Sequence, residues 1–237
     1  MALPRLNDNP QYDLVIPSTN NTVKYRPFLV KEQKVLMLAY ESQNKKEIVN
    51  SIMNTIDTCV IGDYELNKLT TYDVDYIFTK IRSKSVGEAA KIMIACQECE
   101  ESNEVTVNLD KIEVLQTKDK NTVTITDEIS IKLRHPTYSF FMNRGTFFDD
   151  DKSRTDVLMD LIIACIDTVY TEEEAIKISD EPIEEVQRFL DSLTTSQFEA
   201  ITTWVEAMPT VTQDIEFKCK SCEAVNKRTL KGLDDFF

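Results

Sequence analysis

Cys96-Gln97-Glu98-Cys99-Glu100-Glu101-Ser102-Asn103 returns near the end of the chain as Cys219-Lys220-Ser221-Cys222-Glu223-Ala224-Val225-Asn226. Both stretches read C-x-x-C-E-x-x-N. Two cysteines two residues apart form a knuckle that aims both sulfurs at one ion. Two knuckles supply four thiolates at about 2.3 Å around a tetrahedral zinc and leave no open position for chemistry. The spacing therefore predicts one structural Zn²⁺ held by Cys96, Cys99, Cys219 and Cys222. The gap between the knuckles is long, with 119 residues between Cys99 and Cys219. Because loop-closure entropy grows only logarithmically with length, a whole domain can sit in that gap if it brings its own ends together.

The flanks support the pairing. Ile92-Met93-Ile94-Ala95 and Ile215-Glu216-Phe217 precede the two knuckles, and Glu104-Val105-Thr106-Val107-Asn108-Leu109 and Lys227-Arg228-Thr229-Leu230 follow them. Strand, knuckle, strand is the layout of a zinc ribbon. Two other readings stay open at this point: four reduced cysteines without metal, and thiol redox chemistry through C-x-x-C. A redox motif of the thioredoxin kind belongs between a strand and a helix, whereas both copies here run into β-type sequence.

The 237 residues are 42% hydrophobic, enough for a core in one large or two modest domains. Net charge is −14, which disfavours non-specific attraction to nucleic acid. No apolar run reaches the ~18 residues of a membrane span. The start of the chain, with Pro4, Arg5, Asn7 and Asp8, lacks the apolar centre of a signal peptide. Paired knuckle cysteines without an export signal fit a reducing compartment. The single histidine, His135, precedes Pro136 and is expected to be solvated or capping rather than catalytic. Triads that need a histidine base have only this one candidate. Gly62, Gly87, Gly145 and Gly232 are isolated, so no phosphate-cradling glycine loop can be drawn.

Along the chain, residues 12–16 and 22–28 flank a polar turn and read as a hairpin or docking arm. Val35, Leu36, Leu38 and Ala39, then Ile48, Ile52, Met53 and Ile56, fall at helical spacing with a break at Ser42-Gln43-Asn44. A third helix is expected over 71–82, capped by Thr70 or Thr71, with Tyr72, Tyr76 and Phe78 as a core stripe. Cys59 and Cys165 read as buried apolar residues. Residues 113–121 read as an exposed loop or a contact loop. Val123 and Ile125 followed by Ile129, Ile131 and Leu133 predict a hairpin that extends the ribbon sheet. Short helix 137–144 follows, ended by Gly145. Asp149-Asp150-Asp151 lacks the alternating spacing of a calcium loop and reads as the acidic start of helix 157–170. A polar connector over 171–182 leads to helices 182–193 and 195–208, and residues 210–217 run as a strand into the second knuckle. The closing Phe236-Phe237 either caps a groove of its own domain or docks on a partner.

The predicted class is α+β: a helical core and a discontinuous zinc-ribbon-like β module, its two CxxC knuckles separated by a β-hairpin and inserted helical segments. The expected division is an extended arm over 1–30, a helical region over 31–86, the β module over 87–134 plus 210–237, and an inserted helical domain over 135–209.

Tyr25-Arg26-Pro27-Phe28-Leu29-Val30-Lys31-Glu32-Gln33-Lys34-Val35-Leu36, the segment from Ser85 to Cys99, and the closing C-x-x-C with its basic strand together resemble the base-plate protein family of T4-like contractile-tailed bacteriophages. The resemblance implies a non-enzymatic protein that serves in assembly of the baseplate central hub, as hub component or assembly factor. Its partners would be other hub or tail proteins, with no small-molecule substrate and no membrane. Its place would be the host cytoplasm during assembly and the tail baseplate of the virion. The family offers no catalytic residues to carry over. A competing function is a zinc-ribbon nucleic-acid-binding or transcription accessory protein, for which Lys218, Lys220, Lys227, Arg228 and Lys231 are the best evidence. A thiol-disulfide oxidoreductase is third.

Overall fold

The computed structural model describes residues 9–115, 120–144 and 152–236. The chain is α+β and forms two compact units: Met1–Leu115 with Thr210–Phe237, and Gln116–Pro209. The second is thus an insertion in the first.

In the first unit, strands β1 (Tyr12–Val15) and β2 (Thr22–Tyr25) pair antiparallel, and β3 (Val60–Ile61) joins the other side of β2. Alternation does the sorting here: Leu14, Val23 and Tyr25 are buried, while Thr22 and Lys24 are exposed. Helix α1 (Val30–Glu41) follows, then α2 (Lys45–Cys59), whose cap Asn44 accepts the backbone N–H groups of Lys46 and Glu47. Helix α3 (Thr71–Val86) runs a turn longer than its apolar pattern predicts and is capped by Thr70. It stops at Gly87, where φ is 140°, a conformation costly for any residue with a Cβ. The fully buried Asp73 does two jobs. One carboxylate oxygen accepts the N–H of Ser18 at 2.9 Å and the other that of Thr70 at 2.9 Å, tying the N-terminal hairpin to the start of α3. Tyr72 and Phe78 are buried, and Tyr76 packs on the core, as the stripe requires.

Two further hairpins complete this unit. Strands β4 (Ala89–Ala95) and β5 (Ser102–Asn108) form one. Strands β11 (Val211–Lys218) and β12 (Val225–Lys231) form the other, and β6 (Glu113–Val114) adds to β11. The expected exposed loop over 113–121 therefore begins as a strand; its residues 116–119 lie outside the described residues. Ala90, Val107, Leu109, Ile112, Val211, Leu230 and Phe236 make a common core beneath these strands. Phe236 is fully buried, so this half of the aromatic pair belongs to its own domain; Phe237 lies outside the described residues.

In the inserted unit, β7 (Thr122–Thr124), β8 (Ser130–Leu133), β9 (Ile166–Tyr170) and β10 (Ala175–Lys177) form an antiparallel sheet in the order β10-β9-β8-β7. This corrects three expectations. The β7–β8 hairpin does not extend the sheet beside the knuckles; Ile131 and Leu133 are buried with Ile162, Ile166 and Val169 of the insertion. The helix predicted over 157–170 ends at Cys165 as α5 (Arg154–Cys165), because the β-branched run Ile166-Asp167-Thr168-Val169 pairs with β8. The connector over 171–182 contains β10, which is too short for its alternation to show. Helices α4 (Tyr138–Arg144), α6 (Ile183–Asp191) and α7 (Thr195–Glu206) complete the unit. His135 is half-buried, with its ring stacked on Trp204 at 5.1 Å between centroids. Asp149, Asp150 and Asp151 lie outside the described residues, and α5 is capped by Ser153 with Asp156 in its first turn.

Candidate metal centre

The two knuckles are the turns of the β4–β5 and β11–β12 hairpins. Each is wound the same way. Cys96 N–H donates to Glu101 O at 2.9 Å and Glu100 N–H to Cys96 O at 3.1 Å; Cys219 N–H donates to Ala224 O at 2.9 Å and Glu223 N–H to Cys219 O at 3.1 Å. The residue after each second cysteine turns left-handed, with φ of 59° at Glu100 and 62° at Glu223. Ahead of that residue, the N–H groups of Glu98 and Ser221 lie 3.4 Å from the sulfurs of Cys96 and Cys219. Inward-aimed donors of this kind stabilise thiolates.

Sequence-distant sulfurs meet at the centre. Cys96 Sγ lies 3.7 Å from Cys222 Sγ and Cys99 Sγ 3.6 Å from Cys219 Sγ, and all four lie within 4.8 Å of one another. A tetrahedron of sulfurs around zinc has edges of roughly 3.8 Å. The four thiols are thus close enough to bind one metal ion. The first cysteine of each knuckle is buried and the second faces outward.

Two residues of the repeated pattern join the hairpins. Asn103 accepts the N–H of Lys220 at 2.9 Å and points its amide nitrogen at Cys219 Sγ, 3.7 Å away. Asn226 accepts the N–H of Gln97 at 2.8 Å and points its amide nitrogen at Cys96 Sγ, 3.4 Å away. Each asparagine therefore serves the opposite knuckle, and both are buried. The repeated asparagine was visible in the sequence, but its partner was not.

The four thiols titrate in opposite directions. Donors from Cys222 N–H and Ser221 N–H hold the Cys219 thiol down at about 6, and those from Cys99 N–H and Glu98 N–H lower Cys96. Cys99 accepts from Glu101 N–H, which favours its thiolate, yet Cys222, burial, Cys219 and Cys96 together push it up to about 12. Cys222 is likewise raised despite the N–H of Ala224. Four like charges at this spacing repel one another, and a divalent cation among them would let all four ionise. Cys59 and Cys165 stand apart in apolar cores, where burial pushes their thiols up to about 11 and about 12.

The thiol cluster joins two hairpins that come before and after the inserted segment in the chain. The chain belongs to the T4 bacteriophage base plate protein family, whose profile matches residues 9–237. Among known proteins it is similar to the baseplate hub assembly protein gp26 of Enterobacteria phage T4, with 27% identity over 110 residues. That match spans 46% of this chain and 46% of the relative, so the chain covers about half of the relative's length. No solved structure matches the chain. No helix among the described residues is long and apolar enough to cross a membrane.

Proposed function

We propose that this protein acts, without covalent chemistry, in assembly of the phage baseplate hub, through contacts with other hub or tail proteins. In this reading Cys96, Cys99, Cys219 and Cys222 hold one structural Zn²⁺ in a discontinuous zinc ribbon that keeps the binding surfaces in register. The observation that carries it is the four-sulfur cluster closed by Asn103 and Asn226, set in a chain of the base plate family. Both C-x-x-C turns join antiparallel strands, a setting unlike the strand-to-helix junction of thiol oxidoreductases. The basic residues Lys218 and Lys227 are paired with Glu223 at 3.1 Å and Glu216 at 3.2 Å, which reduces the positive face available to nucleic acid.

Elemental analysis of protein purified from cells should give one zinc per chain, lost in Cys219→Ser together with thermal stability. One iron per chain with the colour of a sulfur-ligated ferric ion would replace zinc, since both metals take four thiolates tetrahedrally. Absence of any metal would overturn the centre. Co-expression with the hub proteins of the same phage should yield a complex that is absent when those proteins are omitted; no complex with any of them would overturn the assembly role.

A further inference from the structure

Helix α1 is apolar on more sides than its own unit covers. Glu32, Leu36 and Ala39 face inward and are buried. Val30 is 81% exposed, Met37 and Leu38 55% each, Val35 51% and Tyr40 45%. At 3.6 residues per turn, Val30, Met37 and Leu38 lie with Lys34 and Glu41 on the stripe opposite the buried one. Helices apolar all round are ones covered on both faces. The surroundings of this stripe are basic in an acidic chain. Residues 22–46 contain six lysines and arginines against two glutamates, and one of these, Glu32, is shared by Arg26 at 2.9 Å and Lys31 at 3.3 Å, the latter through an exposed ammonium.

The opposite character occurs in the inserted unit. Residues 116–209 hold 19 acidic and 9 basic side chains, a net charge of −10 within the total of −14. Between β9, β10 and α6 lies a groove of about 340 Å³ with Ile176, Ile178 and Phe189 on its walls and Glu174, Glu181 and Glu185 at its rim. Glu185 also holds Arg188 at 2.8 Å, while Glu174 and Glu181 are exposed. The groove is apolar inside and negative outside, and the α1 stripe is apolar at its centre with Lys31 and Lys34 beside it.

We propose that α1 of one copy docks on the acid-rimmed groove of a second copy, seating Met37 and Leu38 against Ile176 and Phe189 and placing Lys31 and Lys34 beside Glu181 and Glu185. The alternative, α1 against α1, would bring two basic stretches together and is disfavoured by charge. The proposed contact joins two different surfaces, so it can be made twice in a reciprocal two-fold dimer or once per copy in a ring or an open chain. It is independent of the metal centre.

The test is sedimentation of the full chain over a concentration series, with variant Lys31→Glu/Lys34→Glu and variant Glu181→Lys/Glu185→Lys, each first shown folded by circular dichroism. The unmodified chain should associate reversibly and dissociate as salt is raised. Each variant alone should stay monomeric, because its α1 and its groove then carry like charges, and an equimolar mixture of the two should associate again, because every α1 then finds a groove of opposite charge on the other variant. A chain that remains monomeric at every concentration overturns the proposal. So does a discrete dimer abolished by the lysine changes but indifferent to the glutamate changes, or a mixture that fails to recover association.

Discussion

The amide nitrogen of Asn226 lies 3.4 Å from the sulfur of Cys96, a residue 130 positions away on the other hairpin. Asn103 makes the reciprocal contact to Cys219. The pair closes the cluster from both sides and joins the two hairpins at their turns, above the core that their strands share. Replacing Asn226 by Ala removes the donor to sulfur and leaves the Gln97 N–H without its acceptor. Metal affinity should fall by about 10- to 100-fold, as for other groups that orient ligands from behind. Competition with a chromophoric chelator measures this; unchanged retention would show the amide to be dispensable.

Glu100 and Glu223 occupy left-handed backbone positions at equivalent points of the two knuckles. A β-branched residue is strained there, so Glu223→Val should destabilise the protein by about 1–2 kcal/mol. Glycine relieves the strain but has more freedom to lose on folding, which makes Glu223→Gly close to neutral. The exposed contact of Glu223 with Lys218 contributes little to either result. Urea melts of the two variants give the comparison, and equal losses for Val and Gly would refute the strain argument.

Glu32 sits at the first turn of α1 with one oxygen on Arg26 at 2.9 Å and the other on the N–H of Leu29 at 2.8 Å. Burial raises its pKa, but the bonds from Arg26 and from the Leu29 N–H outweigh burial and hold it below the ordinary 4.5. A depressed carboxyl stabilises the fold fully above its unfolded value and loses that contribution as pH falls through the folded value. Glu32→Gln should therefore cost about 1–3 kcal/mol at neutral pH, and the cost should shrink below pH 4.5. Thermal melts of the two proteins between neutral and acid pH follow the difference; a constant gap across that range would contradict it.

Phe236 is fully buried in the core shared by β4, β5, β11 and β12. Phe236→Ala should destabilise the first unit by about 3–5 kcal/mol. The signature is a lowered melting temperature together with easier loss of metal, since the same strands carry the knuckles. A variant that melts like the parent would mean that the aromatic tail contributes nothing to this core.

Much of this molecule is legible without coordinates. Periodicity places α1, α2, α3, α6 and α7, because each has an apolar stripe long enough to outvote local exceptions. Two cysteines per knuckle mark a candidate ligand set, and the β-type flanks set it apart from a redox motif of the same spacing. Short strands are less visible: β6 and β10 are two and three residues long and are held by pairing partners far away in the chain. The end of α5 is of the same kind, since Ile166 to Val169 suit helix or strand until β8 offers hydrogen bonds.

The sequence by itself determined the residue types at the centre, down to the repeated asparagine, because ligand chemistry and turn geometry are local properties. Only the tertiary structure decided that Asn103 serves Cys219, that Asn226 serves Cys96, and that the β7–β8 hairpin belongs to the insertion. Those outcomes depend on which distant strands share a core, and that is settled by burying Ile131 and Leu133 with Ile162 and Ile166, and Val107 and Leu109 with Phe236.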